Sequence, residues 1–133
     1  MSEDQQKTVE TRSYLDLLGA TEFVAIVTSG DDGPHVVGNW GEYVRKLNAS
    51  AETIVLPAGG YHQTEANLAK DDRIKLLVAS RRIQGSHGPG QGCVIDGTAQ
   101  LLTEGSIVEE VKSHFPWARG ALVIEVKGII PQL

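Results

Sequence analysis

Short runs of β-branched and other apolar residues, each bounded by Gly, Pro, Asp or Asn, are the dominant pattern along this chain. Such runs are typical of β-strands. The six predicted strands are Phe23–Ser29, His35–Trp40, Thr53–Ala58, Arg73–Ile83, Gly92–Thr103 and Ala121–Ile130. The turn Gly30–Gly33 joins the first two as a hairpin. The segment Tyr43–Leu47 is expected to continue the sheet or to rejoin it.

Helical spacing or composition is confined to three short stretches. They are Thr8–Leu18, which stops at Gly19, then Tyr61–Lys70, which stops at Asp71, and Gly105–His114. Because tight turns join most of the strands, the pattern predicts a mainly β fold, a closed or nearly closed antiparallel barrel. The helix Tyr61–Lys70 is then a single crossover between strands that need not be hairpin neighbours.

Chain length and net charge limit the kinds of function that the protein can have. The 133 residues fit one domain, 1–133, with residues 1–7 as a loose tail. Seventeen Asp and Glu against twelve Lys and Arg give a net charge of −5, which argues against nucleic acid and anionic membranes as partners. With no apolar leader and one cysteine, we expect a cytoplasmic protein.

Motifs for metal binding and covalent catalysis are missing from the sequence. The four histidines are widely separated, and there is no HExxH, CxxC or GxSxG motif. Cys93 lies inside a predicted strand, where a small core residue is the expected interpretation. We therefore predict no metal site and no catalytic acid, base or nucleophile.

The segment Pro57–Thr64 is the first candidate for binding chemistry. A strand ends, Gly59 and Gly60 free the backbone, and a helix begins. A helix start offers unpaired amides and a positive dipole end, which suit a phosphate. The alternative is an ordinary strand-to-helix turn capped by Gln63 or Thr64.

Two aromatic segments are the next candidates. Gly38 and Gly41 would let a flat ligand approach the backbone, with Trp40 and Tyr43 covering its ring. The alternative is that Trp40 and Tyr43 are core or interface residues. The segment Phe115–Arg119 combines two aromatic residues with an arginine and is either an interface anchor or part of the core.

Two arginines precede a loop rich in glycine. Arg81 or Arg82 is expected to pair with a ligand phosphate or a carboxylate. Because side chains alternate along a strand, the two should face opposite ways. The loop Gly85–Gly92 lacks the GK[ST] ending of a phosphate loop and is interpreted as a hairpin connection.

Taken in order, these features resemble the FMN-binding split-barrel family that includes pyridoxamine 5′-phosphate oxidase. The similarity runs from about Phe23 to Leu133. It is carried by Val24–Thr28, Asp32–His35, Pro57–Gly60 with His62 and Thr64–Asn67, Gly88–Gly90 with Gly92, and Trp117–Arg119 running into Ala121–Ile124.

The resemblance implies a six-stranded antiparallel split β-barrel with a few short helices. It also implies a homodimer with one FMN per subunit near the interface. Trp40 and Tyr43 match aromatic residues near the flavin, and Gly59, Gly60 and Thr64 match the phosphate turn and helix start. Trp117 and Leu133 match residues that the family places near the flavin at the dimer contact. The full predicted cofactor-binding set is Gly38, Asn39, Trp40, Gly41, Tyr43, Ala58, Gly59, Gly60, Gln63, Thr64, Arg81, Trp117 and Leu133.

Two positions depart from the small members of that family. Gln63 stands where they have a lysine, and Asn39 where they have a threonine. The phosphate must then rely on the helix dipole, on Thr64 and on an arginine such as Arg81. We expect FMN binding to be retained but weakened.

The leading functional prediction is a redox flavoprotein, active in electron transfer or flavin reduction with a redox partner protein or a small-molecule donor. One alternative is an oxidoreductase acting on a small phosphorylated molecule, which would need a cluster of basic residues that the sequence does not display. The others are a non-catalytic FMN-binding or storage protein, a deazaflavin binder, and a cofactor-free barrel that dimerises.

Overall fold

Six strands build one antiparallel sheet in the computed structural model, which describes residues 14–47, 49–50, 52–85 and 88–132. The strands are β1 (Phe23–Gly30), β2 (Gly33–Trp40), β3 (Thr53–Ala58), β4 (Arg73–Gln84), β5 (Pro89–Leu102) and β6 (Gly120–Gln132). The helices are α1 (helical residues 14–20), α2 (Gly41–Lys46), α3 (His62–Lys70) and α4 (Ser106–His114). Each strand coincides with a predicted run, so the apolar pattern identified all six.

The strand order is β2-β1-β4-β5-β6-β3, and every neighbouring pair is antiparallel. Helix α3 carries the chain from the edge strand β3 to β4 inside the sheet, which confirms the predicted crossover. The β4–β5 connection is a hairpin, as predicted, with Gln84 opposite Pro89.

The sheet curls until its two edge strands meet at a seam. Asn39 Nδ2 on β2 donates to the Pro57 carbonyl on β3 at 3.3 Å, and the Tyr61 hydroxyl donates to the Gly38 carbonyl at 2.8 Å. Hydrogen bonds from side chains, rather than backbone hydrogen bonds between paired strands, connect β2 and β3. The fold is therefore mainly β, a six-stranded antiparallel split β-barrel with a few short helices, as predicted.

Alternate residues of the strands fill the barrel. The largest fully buried side chains include Ile26, Ile54, Leu56, Leu76, Ile95, Leu122 and Ile124. Cys93 is 3 % exposed within this core, as expected for a small core residue. A second cluster, containing Val108, Val111 and Phe115, packs α4 beside the barrel wall, and Tyr43 contacts both clusters.

The prediction that Tyr43–Leu47 belongs to the sheet is wrong, because α2 occupies residues Gly41–Lys46. The Gly41 amide donates to the Glu22 carbonyl at 2.8 Å, and a Cβ on Gly41 would lie 1.8 Å from the Thr21 carbonyl oxygen. This close approach turns the chain out of β2. Val44 and Leu47 are then buried at helical spacing, a pattern that five residues cannot distinguish from a strand.

The N-terminal predictions are tested only in part. Residues 14–20 are helical, so α1 passes the predicted stop at Gly19 by one residue. Residues 1–13, which include the predicted tail and the start of the Thr8–Leu18 helix, lie outside the described residues. None of the described helices has the length and apolar content needed to cross a membrane.

Candidate ligand site at the β3–α3 turn

Three separate segments of the chain meet where the barrel seam ends. Tyr61, after the turn, binds the Gly38 carbonyl at the end of β2. A Cβ placed on Gly59 would lie 3.1 Å from the Trp117 ring. Arg119 Nε donates to the Gly60 carbonyl at 2.9 Å. The structure thus brings together three segments that were predicted independently from the sequence.

The turn itself leaves space beside its backbone. A Cβ on Gly60 would have no heavy atom within 4 Å, whereas that of Gly59 would press on Trp117. Tyr61 has φ 65° and ψ 30°, the left-handed region, which is costly for a residue with a side chain. The Tyr61–Gly38 hydrogen bond helps hold this conformation. The turn Gly59–Tyr61 therefore forms a cradle, with open space beside Gly60 and the Trp117 indole ring beside Gly59.

The start of α3 has free amides facing the same region. The first amide with a helical partner is that of Glu65, which donates to the Tyr61 carbonyl at 2.8 Å. The helix has no side-chain cap. Gln63 Nε2 instead donates to Asn67 Oδ1 at 2.8 Å. These observations contradict the capped-turn alternative and leave a helix N-terminus suited to an anion.

Thr64 carries an unusual hydroxyl. Its side chain is fully buried, and its Oγ1 has no hydrogen-bond partner among the described residues, a property it shares there with the Tyr14 hydroxyl in the core. An unsatisfied buried polar group costs about 1–3 kcal/mol, and such groups in folded proteins call for an explanation. A phosphate held at the start of α3 would supply the missing partner, so the residues present fit that group.

Arg119 is the cation at the turn, and sequence reasoning treated it only as part of an interface segment. Its amide donates to the Ala58 carbonyl at 2.8 Å, and its guanidinium bonds Gly60 and Glu65, the latter at 3.2 Å. Glu65 balances much of its charge. Because 59 residues separate Arg119 from Gly60, no local pattern could have revealed the contact.

The aromatic residues form a platform beside the turn. Tyr43 lies 4.7 Å from Phe115 and 5.7 Å from Trp117 between ring centroids. Phe115 is buried, whereas Trp117 is 53 % exposed. Trp40 is 55 % exposed and packs edge-on against Phe23. Neither tryptophan is therefore a core residue, which removes that alternative for both.

Several other predicted site residues have contacts within the protein. A Cβ on Gly38 would lie 2.1 Å from the Phe23 ring, so that ring fills the space predicted for a ligand. The corresponding space at Gly41 is filled by Thr21. Ala58 is buried at the end of β3. Leu133 lies outside the described residues.

The Tyr61 hydroxyl at the seam stays protonated over the physiological pH range. Burial raises the pKa of Tyr61 to about 12, against a smaller lowering by the hydrogen bond with Asn39. The Tyr61 hydroxyl is consequently a neutral donor to Gly38. Within the described ranges, no three His, Cys, Asp or Glu side chains come together as a metal ion would require.

Arg81 lies in another part of the molecule. It lines a hollow to which none of the other described site residues contributes. Arg82, which was predicted to face the opposite way, also lines this hollow. The register of β4 against β5 breaks between Ser80 and Gln84, and this irregularity interrupts the alternation.

Comparison with known proteins agrees with the fold. A family model described as pyridoxamine 5′-phosphate oxidase matches residues 11–130. An FMN-binding protein from Nitratidesulfovibrio vulgaris (strain DSM 19637 / Miyazaki F) is 43% identical over 114 residues, 86% of this chain and 91% of that protein.

Two solved structures share the fold at low identity. HupZ from Group A Streptococcus has a TM-score of 0.73 and 20% identity, over 91% of this chain and 92% of that chain. An FMN-binding protein from Syntrophomonas wolfei subsp. wolfei has a TM-score of 0.62 and 17% identity, over 98% of this chain and 93% of that chain. The family model spans most of the chain, and the FMN-binding relative is 43% identical to it. The chain belongs to the pyridoxamine 5′-phosphate oxidase family.

Proposed function

We propose that this chain binds one FMN, with the phosphate at the turn Gly59–Thr64, and acts as a redox flavoprotein in electron transfer or flavin reduction. The observation that carries the proposal is the buried Thr64 Oγ1 without a partner, at an uncapped helix start beside open space at Gly60. The 43%-identical FMN-binding protein of N. vulgaris supports the choice of cofactor.

The phosphate is held mainly by backbone groups. The free amides in the first turn of α3 donate to it, and the helix dipole favours its charge. Thr64 Oγ1 has less than 1 Å² exposed, so contact with it requires a small shift of the turn, which Gly59 and Gly60 permit. Since Gln63 brings no positive charge, the affinity is lower than a lysine there would give.

The flavin ring lies against aromatic side chains. Trp117 offers an exposed indole on a base of Tyr43 and Phe115, and Trp40 offers a second one at the end of β2. Flat heteroaromatic rings stack favourably on such surfaces. FMN, when bound, supplies the redox chemistry. The chain's part is to orient the ring, limit water around it and keep the seam closed through Tyr61.

A homodimer is part of the proposal. Trp40 and Trp117 at the seam, and Phe23, Leu77 and Ile130 on the strands, are large apolar side chains that are 45–55 % exposed. Burying such side chains between two copies would stabilise a dimer. A second copy would also bring additional groups towards the flavin, which the family resemblance implies for Leu133.

The test of the redox role is stopped-flow absorbance of the protein with its bound flavin. We expect the flavin to be reduced by a small-molecule or protein donor and reoxidised by an acceptor, each faster than free FMN under the same conditions. Rates equal to those of free FMN would favour the storage alternative. A colourless protein that binds FMN no better than an adenine nucleotide would favour the cofactor-free barrel.

A further inference from the structure

We propose a second ligand site, in which three arginines bind the phosphate group of a small molecule. The site is a hollow of about 580 Å³ bordered by the segment after α1, by α2 and by the β4–β5 hairpin. Its lining residues are Gly19, Ala20, Glu22, Arg45, Ala79, Ser80, Arg81, Arg82, Gly90 and Gln91. The expectation that the chain has no basic cluster fails here, because the fold gathers residues that are far apart in the sequence.

The three arginines that line the hollow have no carboxylate partner among the described residues. Arg73 pairs with Asp71 at 2.7 Å and Arg119 pairs with Glu65 at 3.2 Å. By contrast, none of the three that line the hollow is in an ion pair with a described residue; these are Arg45, Arg81 and Arg82. Glu22 is the one carboxylate among the described lining residues, so the hollow is net positive.

Local backbone features hold the cations in place. Arg45 Nη1 donates to the Thr21 carbonyl at 2.8 Å, which fixes that guanidinium at the rim. The irregularity of β4 after Ser80, where the Arg82 amide donates to Ser80 Oγ at 3.2 Å, brings Arg81 and Arg82 to one hollow. Strand irregularities that redirect side chains are common at functional sites. Guanidinium groups match the bidentate geometry of a phosphate.

Size and charge indicate a small ligand rather than a polyanion. A volume of about 580 Å³ lies within the range of small-molecule sites, about 300–1,000 Å³. The chain as a whole has a net charge of −5, which disfavours binding of a long polyanion. A second hollow near α3 is lined by Glu65, Asp72 and Glu125, which would repel an extended polyanion.

Helix α2 lies between the hollow and the proposed flavin site. Tyr43 on that helix contacts Trp117, while Arg45, two residues later, lines the hollow. Positions two residues apart lie on nearly opposite faces of a helix, so the hollow and the proposed flavin site are separate. The anion site therefore does not depend on the proposed function.

The experiment is a titration of the protein as purified with inorganic pyrophosphate, followed by amide chemical shifts. We expect saturable shifts at Ser80, Arg82, Gly90 and Gln91, and none across Gly59–Thr64. The double variant Arg81→Gln/Arg82→Gln should weaken binding at least tenfold, and Glu22→Gln should tighten it. The control is Arg73→Gln, which removes an exposed charge from the other end of β4 and should change the affinity less than twofold.

Three outcomes would overturn the site. Shifts confined to Gly59–Thr64, or displacement of bound flavin, would assign the anion to the turn. Equal weakening by Arg73→Gln would indicate a general effect of charge. Shifts that do not saturate would show that no site exists. If the protein cannot bind FMN but binds pyrophosphate in the hollow, the proposed function is contradicted and the arginine site is supported.

Discussion

Two buried threonines have opposite hydrogen-bonding states. Thr28 Oγ1 accepts a hydrogen bond from Asn67 Nδ2 at 3.0 Å inside the core. Thr64 is equally buried, but its Oγ1 has no hydrogen-bond partner in the part of the chain that the structure describes. The same residue type therefore stabilises the fold at one position and costs stability at the other. A position that costs stability in the protein alone is explained most simply by a bound group.

Thr64→Val separates ligand binding from folding. In flavin-free protein we expect the free energy of unfolding to be unchanged or to rise by up to about 1 kcal/mol, since an unsatisfied hydroxyl is lost. The FMN dissociation constant should rise about fivefold or more, because a charge-assisted hydrogen bond is lost. Urea unfolding and flavin titration measure the two effects.

Thr28→Val is the matched control for that variant. It removes the partner of Asn67, so it should lower the free energy of unfolding by about 1–3 kcal/mol. If Thr64→Val destabilised the flavin-free protein as much as Thr28→Val, the hydroxyl of Thr64 would be structural and the assignment to phosphate would fail.

At the scale of elements, the seam between β2 and β3 is the part that positions the site. Asn39 and Tyr61 bridge the seam, and the turn that follows β3 forms the cradle. The strands around it depend on local apolar runs. The seam depends on two side chains that meet only after the sheet has curled.

Tyr61→Phe should loosen this seam. The variant keeps the ring but removes the donor to the Gly38 carbonyl, and we expect a loss of about 1 kcal/mol in the free energy of unfolding. Amide exchange at Gly41 and Glu65, whose amides donate to the Glu22 and Tyr61 carbonyls, should become faster. Tyr43→Phe, which removes a hydroxyl with no hydrogen bond to any described residue, is the control and should have a smaller effect. Equal effects of the two variants would mean that the seam bond contributes nothing.

The sequence predicted elements better than it predicted contacts between them. Runs such as Thr53–Ala58 identified every strand because burial and β-propensity agree within a few residues. The helix α2 was missed because its start depends on the close approach of Gly41 to Thr21. Arg119 and the arginine hollow were missed because long-range packing, rather than spacing along the chain, assembles them.

At the scale of the whole molecule, several ionisable side chains are buried in the barrel. Burial raises the pKa of Cys93 to about 11 and that of Tyr61 to about 12, and it also raises the pKa of Tyr14. Each group holds its proton more tightly in the folded state than in the unfolded state. Their contribution to stability is therefore complete below pH 9 and is lost as the pH rises through the folded pKa values.

We expect the free energy of unfolding to be flat near neutral pH and to fall above about pH 9, by about 1.4 kcal/mol per pH unit for each group that titrates. Cys93→Ala should reduce the slope between pH 9 and 10, although it lowers the stability at pH 7. Urea unfolding at a series of pH values measures this. A slope in Cys93→Ala identical to that of the unchanged protein would show that the thiol does not contribute.

The division of the chain into one domain and the predicted homodimer remain predictions at this scale. The described strands belong to one sheet. Sedimentation velocity of the protein with bound flavin would measure whether it is a monomer or a dimer.

The central claim is that the turn Gly59–Thr64 binds the phosphate of FMN, and comparing FMN with riboflavin tests it most directly. Both are titrated into flavin-free protein by fluorescence quenching. A phosphate bound by the helix start and Thr64 should make FMN bind at least tenfold more tightly, since hydrogen bonds to a charged group contribute about 1.5–3 kcal/mol. Equal affinities for FMN and riboflavin would contradict the account.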